Sequence, residues 1–219
     1  MNNKKLFIII AAVLLIAVSG VVLYYSLRSN MSDMDMTMGN SVENSSLIDT
    51  NSDTYKQYAA MSGETYDRAF LANMIVHHQG AVDMAQLAIT VATRQELKDL
   101  ANNIISTQEQ EMAQMTSWQK EWGFPSTSPD SMIDHGAMGM MDSMASMTSE
   151  LEGKTGDEFN KAFIEQMIIH HQSAIDMAAP GEMNAQRQEI KDLSKEIISA
   201  QTKEIKQMRQ WQQEWGYEN

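Results

Sequence analysis

Two identical dipeptides, His77-His78 and His170-His171, carry the most specific chemistry in the sequence. Each is flanked by methionine at matching distances, Met74 and Met84 around the first pair and Met167 and Met177 around the second. Imidazole nitrogen with thioether sulfur suits Cu(I), and imidazole also takes Cu(II). Zinc fits less well, because its usual donors are thiolate, imidazole and carboxylate. The chain holds 20 Met and no Cys in 219 residues, which excludes disulfides, thiolate metal sites and Cys nucleophiles. Methionine binds a soft ion without first losing a proton, so a thioether-rich, Cys-free chain makes chemical sense for copper.

These residues need elements to hold them. On a helical wheel Phe70, Met74, Ala81 and Ala85 mark the centre of an apolar face. His77 falls about 60° to one side of Met74 and His78 about 40° to the other, so both rings project within the buried half. A second helix is marked by Leu97, Leu100, Ile104, Gln108, Glu111, Met115, Trp118 and Trp122, at the steps of three and four of a lengthwise packing seam. Gln108 and Glu111 interrupt that seam, and Gln201 and Glu204 do so at the equivalent places. A carboxylate or amide receiving one ring N–H would orient the imidazole and free its other nitrogen for a metal. Met115 and its counterpart Met208 lie on the same seams. The candidate ligands are therefore His77, His78, Met74, Met84, Met115, His170, His171, Met167, Met177 and Met208.

The plain alternative is packing. A methionine on an apolar helix face usually fills a gap, and a single buried histidine bonded to Glu is usually structural. A His-His pair with Met on both flanks, occurring twice, favours metal.

The equivalences come from an internal repeat. Residues 63–123 align with 156–216 at a constant offset of 93 without insertion, and about half the positions are identical. FLANMIVHHQGAVDMA answers FIEQMIIHHQSAIDMA, and the Trp118 to Gly123 end answers Trp211 to Gly216. Each copy reads as a helical hairpin. Its first helix spans roughly Glu64 to Ala88 in one copy and opens at a Thr155-Gly156-Asp157-Glu158 capping box in the other. The second helix opens at a Thr93-Arg94-Gln95-Glu96 capping box and stops at Gly123, while Pro180-Gly181 breaks the second copy. No stretch alternates with period two. The expected class is all-α: an N-terminal transmembrane helix followed by two helical-hairpin repeats that close into a four-helix bundle, within one chain or between chains.

The expected parts are a signal-anchor over 1–29, a Met-rich linker over 30–61, hairpin repeat 1 over 62–123, a second Met-rich linker over 124–154 and hairpin repeat 2 over 155–219. The anchor rests on Lys4 and Lys5 followed by an uncharged apolar run from Leu6 to Tyr25, long enough to span a bilayer. Lysines before that run favour a cytoplasmic start and an extracytoplasmic body. The linkers carry Met31, Met34, Met36 and Met38, then Met132, Met138, Met140, Met141, Met144 and Met147, with no periodic core pattern. They read as flexible chain loaded with thioethers.

The Phe70 to Ala81 segment, FLANMIVHHQGA, followed by Asp83-Met84-Ala85 and by Gln108, Glu111, Met115 and Trp118, resembles the exported bacterial proteins of domain-of-unknown-function family 305. The resemblance covers both repeats. It implies a ferritin-like four-helix fold and, from the members associated with copper, a ligand role for the His pairs and their flanking methionines. Val76 and Ile169 stand where members often carry Pro, which leaves each helix unbroken through its His pair.

The expected function is extracytoplasmic copper binding, for sequestration or handover to a transfer partner, without catalysis. Homo-oligomers are compatible with the hairpin design. An oxidant-scavenging or interaction role for the methionines is the alternative. A ferritin-like di-iron enzyme is a weaker one, since no Glu-x-x-His occurs in the sequence. A net charge of −13 argues against a nucleic-acid partner, and no phosphate loop, nucleophile elbow or zinc-protease motif is present.

Overall fold

Seams of apolar residues at steps of three and four commit four stretches of chain to long helices, and these build the bundle. The structure is a computed structural model that describes residues 47–125 and 135–217. In chain order the elements are α1 (Asp53–Ala59), α2 (Glu64–Val91), α3 (Gln95–Glu121), α4 (His135–Ser149), α5 (Gly156–Ala178), α6 (Gly181–Asn184) and α7 (Gln188–Trp215). No strand occurs among the described residues, only an isolated bridge between Gly63 and Ala185. The apolar run expected to be an anchor, and Met31 to Met38, lie outside the described residues. Within them no helix is long and apolar enough to cross a membrane.

Helices α2 and α3 pair as one hairpin, α5 and α7 as another, and α2 packs against α5 between them. The two central helices run antiparallel. Tyr66, at the start of α2, donates its hydroxyl to the carbonyl of Met177 at the end of α5, at 2.9 Å. Both run without a break through their His pairs, as Val76 and Ile169 allow. Helix α3 stops where expected: Gly123 takes φ +69°, a left-handed conformation that glycine adopts freely.

The helix starts differ from expectation. Thr93 and Thr155 do not cap their helices with their side chains. Thr93 is occupied across the bundle instead, where its hydroxyl accepts from Asn160 Nδ2 at 2.7 Å and its N–H donates to Asn160 Oδ1 at 3.1 Å. The equivalent of Asn160 in the first hairpin is Asp67, whose Oδ1 accepts from the Gln186 N–H at 3.0 Å. Each hairpin thus supplies the polar group that ties down the other's second helix. The far ends interlock in the same sense. The Arg94 guanidinium lies 4.5 Å over the Trp215 ring, and that of Arg187 lies 4.1 Å over Trp122.

The segment 124–154, expected to be flexible, contains α4, a 15-residue helix packed on α2. Its inner face is Met140, Met144 and Met147, at steps of four and three, and Leu151 continues the stripe in the turn just beyond the helix. Met144 and Leu151 are buried, and the other two pack partly against the core. Gly80 makes the approach possible, since a Cβ there would sit 2.8 Å from the Met144 side chain. Met144 therefore has a packing role that its linker-like surroundings in sequence concealed.

Candidate metal centre

All four imidazoles sit at the middle of the bundle with no solvent exposure. His77 and His170 meet where α2 crosses α5, with ring centroids 3.7 Å apart. His170 donates its Nε2–H to the His77 carbonyl at 2.8 Å, which leaves Nδ1 without a partner. His77 has no partner at either ring nitrogen.

The outer two rings are held from the seam helices. His78 Nε2 lies 2.7 Å from Glu111 Oε2, and His171 Nε2 lies 2.6 Å from Glu204 Oε2. A carboxylate can only accept, so each Nε2 carries a proton, and in the neutral tautomer Nδ1 is the nitrogen with the lone pair. Both Nδ1 atoms are buried and unpartnered. Glu111 and Glu204 thus do what their seam positions promised. Gln108 and Gln201 do not: their Oε1 atoms are also unpartnered. They line a narrow gap between α3 and α7, about 10 Å³ in volume, together with the two glutamates. That is room for about one water.

Burial pushes the pKa of His77 well below the ordinary histidine value, and the neighbouring His170, His78 and His171 add to the effect. His170 is lowered chiefly by burial too, then by His171. Neutral imidazole is the ligand form, so the core environment favours the state that binds metal.

The six candidate methionines, Met74, Met84, Met115, Met167, Met177 and Met208, are all fully buried. Their grouping differs from the one expected. Met74 and Met84 stand ten residues apart, about 15 Å along one helix, and cannot converge on one small ion. Met74 and Met115 instead fall in one packed cluster with Met177 of the other hairpin. Met167 and Met208 share the second cluster with Met84. The antiparallel crossing exchanges the flanking methionines, so each thioether set draws on both hairpins. Self-alignment could not show this, because it pairs equivalents rather than neighbours.

Among the described residues no group of three or more His, Asp or Glu is arranged to hold a metal. The buried polar groups at the crossing are imidazoles, and the thioethers lie in the two clusters of the surrounding core.

The model of the family described as Domain of unknown function (DUF305) matches residues 29–212. The chain belongs to the DUF305 family. Among solved structures the bundle is similar to CopM in its Cu(II)-bound form, with 38% identity, a TM-score of 0.59, and coverage of 71% of this chain and 99% of that one. CopM in its Cu(I)-bound form is 38% identical with a TM-score of 0.54, covering 68% of this chain and 96% of that one. A putative secreted DUF305 protein from Streptomyces coelicolor is 28% identical, with a TM-score of 0.60 over 69% of this chain and 94% of its own. No curated protein is significantly similar to the chain.

Proposed function

We propose that this DUF305 protein binds copper in the core of its bundle, for sequestration or handover rather than catalysis. The observation that carries this reading is the set of buried ring nitrogens left without partners: Nδ1 of His78, His170 and His171, and both nitrogens of His77. A buried polar group left unpaired costs about 1–3 kcal/mol. A core that keeps several of them beside six buried thioethers gains most from a ligand that satisfies both donor types, and Cu(I) or Cu(II) is that ligand. In this reading each exchanged methionine set, with Nδ1 of the histidines on its side, holds a separate ion, and Glu111 and Glu204 orient His78 and His171. Similarity to CopM, solved with Cu(II), Cu(I) and silver, supports the choice of metal. Lys4 and Lys5 before the apolar run support an anchored chain whose bundle lies outside the cytoplasm, where a partner would collect the metal.

The test is copper titration against competing chelators. The parent is expected to bind tightly, and a variant with His77, His78, His170 and His171 all replaced by Ala to lose that class while circular dichroism shows its helices intact. Unchanged tight affinity in the helical variant would leave the histidines structural.

A further inference from the structure

We infer that the groove between α2 and α4 is a separate thioether site for a soft monovalent cation, Cu(I) or Ag(I), using Met141 and Met144. The inference rests on the copper reading but on different residues. The groove is open, about 630 Å³ in volume, and lined by both methionines together with Gln79, Gly80, Asp83 and Glu152. Met141 and Met144 are three residues apart on α4, so their side chains are neighbours on one face. Met144 is 5% exposed and Met141 is 37% exposed, which puts one sulfur against the bundle and the other at the solvent edge. Gly80 places the inner one, because any side chain there would occupy the space of Met144.

The electrostatics agree. Asp83, held by Gln79 at 2.8 Å, and Glu152 supply negative charge, and no basic residue lines the groove. A cation is therefore drawn to the place where thioethers are the soft donors. The comparable face of α5 repeats the Gln–Asp pair as Gln172–Asp176, at 3.0 Å, but not the glycine or the methionines. Ser173 stands at the position of Gly80, Ile169 is 52% exposed, and the nearby groove contains Arg209 and no methionine. The site is thus particular to the first hairpin, and its exposed sulfur gives an ion a foothold outside the sealed core.

Silver is the probe, since it mimics Cu(I) without changing oxidation state. The full chain in detergent, labelled at its methionine methyl groups, is titrated with silver and followed by NMR. The Met141 and Met144 methyl signals are expected to shift and saturate. In the Met141→Leu/Met144→Leu variant the shifts at Met74, Met115 and Met177 are expected to persist, because Leu conserves the packing volume. Unmoved Met141 and Met144 signals, while the bundle methionines shift, would overturn this inference and leave the copper reading standing. Shifts at the pair that never saturate would overturn it as non-specific contact. Silence at every methionine would remove both.

Discussion

At the scale of single residues, His77 poses the sharpest energetic question, because a fully buried imidazole bonded at neither nitrogen is costly to keep. Its position against His170 also sets how stability follows pH. Both groups have folded-state pKa values below the ordinary value near 6.5, chiefly through burial. The unfolded chain therefore takes up protons at a higher pH than the folded one. The folded state is favoured above about pH 6.5, and stability falls as pH drops below that value until the folded-state values are reached. Urea unfolding of the metal-free protein across this range should show the decline, and His77→Asn/His170→Asn should flatten it. A pH-independent unfolding midpoint in the parent would contradict the burial of these rings. For the oriented pairs, Glu111→Gln and Glu204→Gln replace the charged acceptor that holds the proton on Nε2 with a neutral, weaker amide oxygen. Copper affinity, read by chelator competition, should fall about 10- to 100-fold.

At the scale of elements, the pairing of α2 with α5 rests on reciprocal ties rather than on each hairpin's own caps. Asp67 and Asn160 each bond the approach to the other hairpin's second helix. Replacing Asn160 with Ala should cost about 1 kcal/mol, the usual worth of such a capping group, in urea unfolding. The same loss is expected to leave the His78–Glu111 contact, and hence copper affinity, in place. Helix α4 depends on Gly80, so Gly80→Ala should destabilise by about 1–3 kcal/mol, as over-packing does. Hydrogen exchange should then speed up in α4 before α2. Equal protection of α4 in parent and variant would show that the contact is not the one holding it.

At the scale of the whole molecule, neither hairpin is complete. The thioether clusters, the crossing histidines and the Arg–Trp contacts each require both. Residues 62–123 expressed alone are therefore expected to be unfolded, or to pair with a second copy, when examined by circular dichroism and size-exclusion chromatography. A folded monomer of that fragment would refute the interlocked arrangement. Copper at 100 times its dissociation constant should stabilise the intact bundle by about 2.7 kcal/mol, measurable as a higher unfolding temperature.

Much of this was readable along the chain, for a physical reason: helix periodicity and repeats are local properties. The seam from Leu97 to Trp122, the His pairs on the buried faces, and the assignment of Glu111 and Glu204 to imidazoles all follow from positions on a 3.6-residue period. The 93-residue offset likewise announced two equivalent hairpins. What depended on tertiary packing was everything set by how the hairpins cross. The antiparallel meeting of α2 and α5 put Met177 with Met74 rather than with Met167, took Thr93 from its own cap to Asn160, and left His77 rather than His170 without a bonded nitrogen. Helix α4 was hidden for a related reason. Its four-residue and three-residue steps are present at Met140, Met144 and Met147, but an apolar stripe so short and so rich in Ser and Gly becomes a stable helix only against a surface that can receive it. Gly80 provides that surface, 64 residues upstream of the side chain it admits.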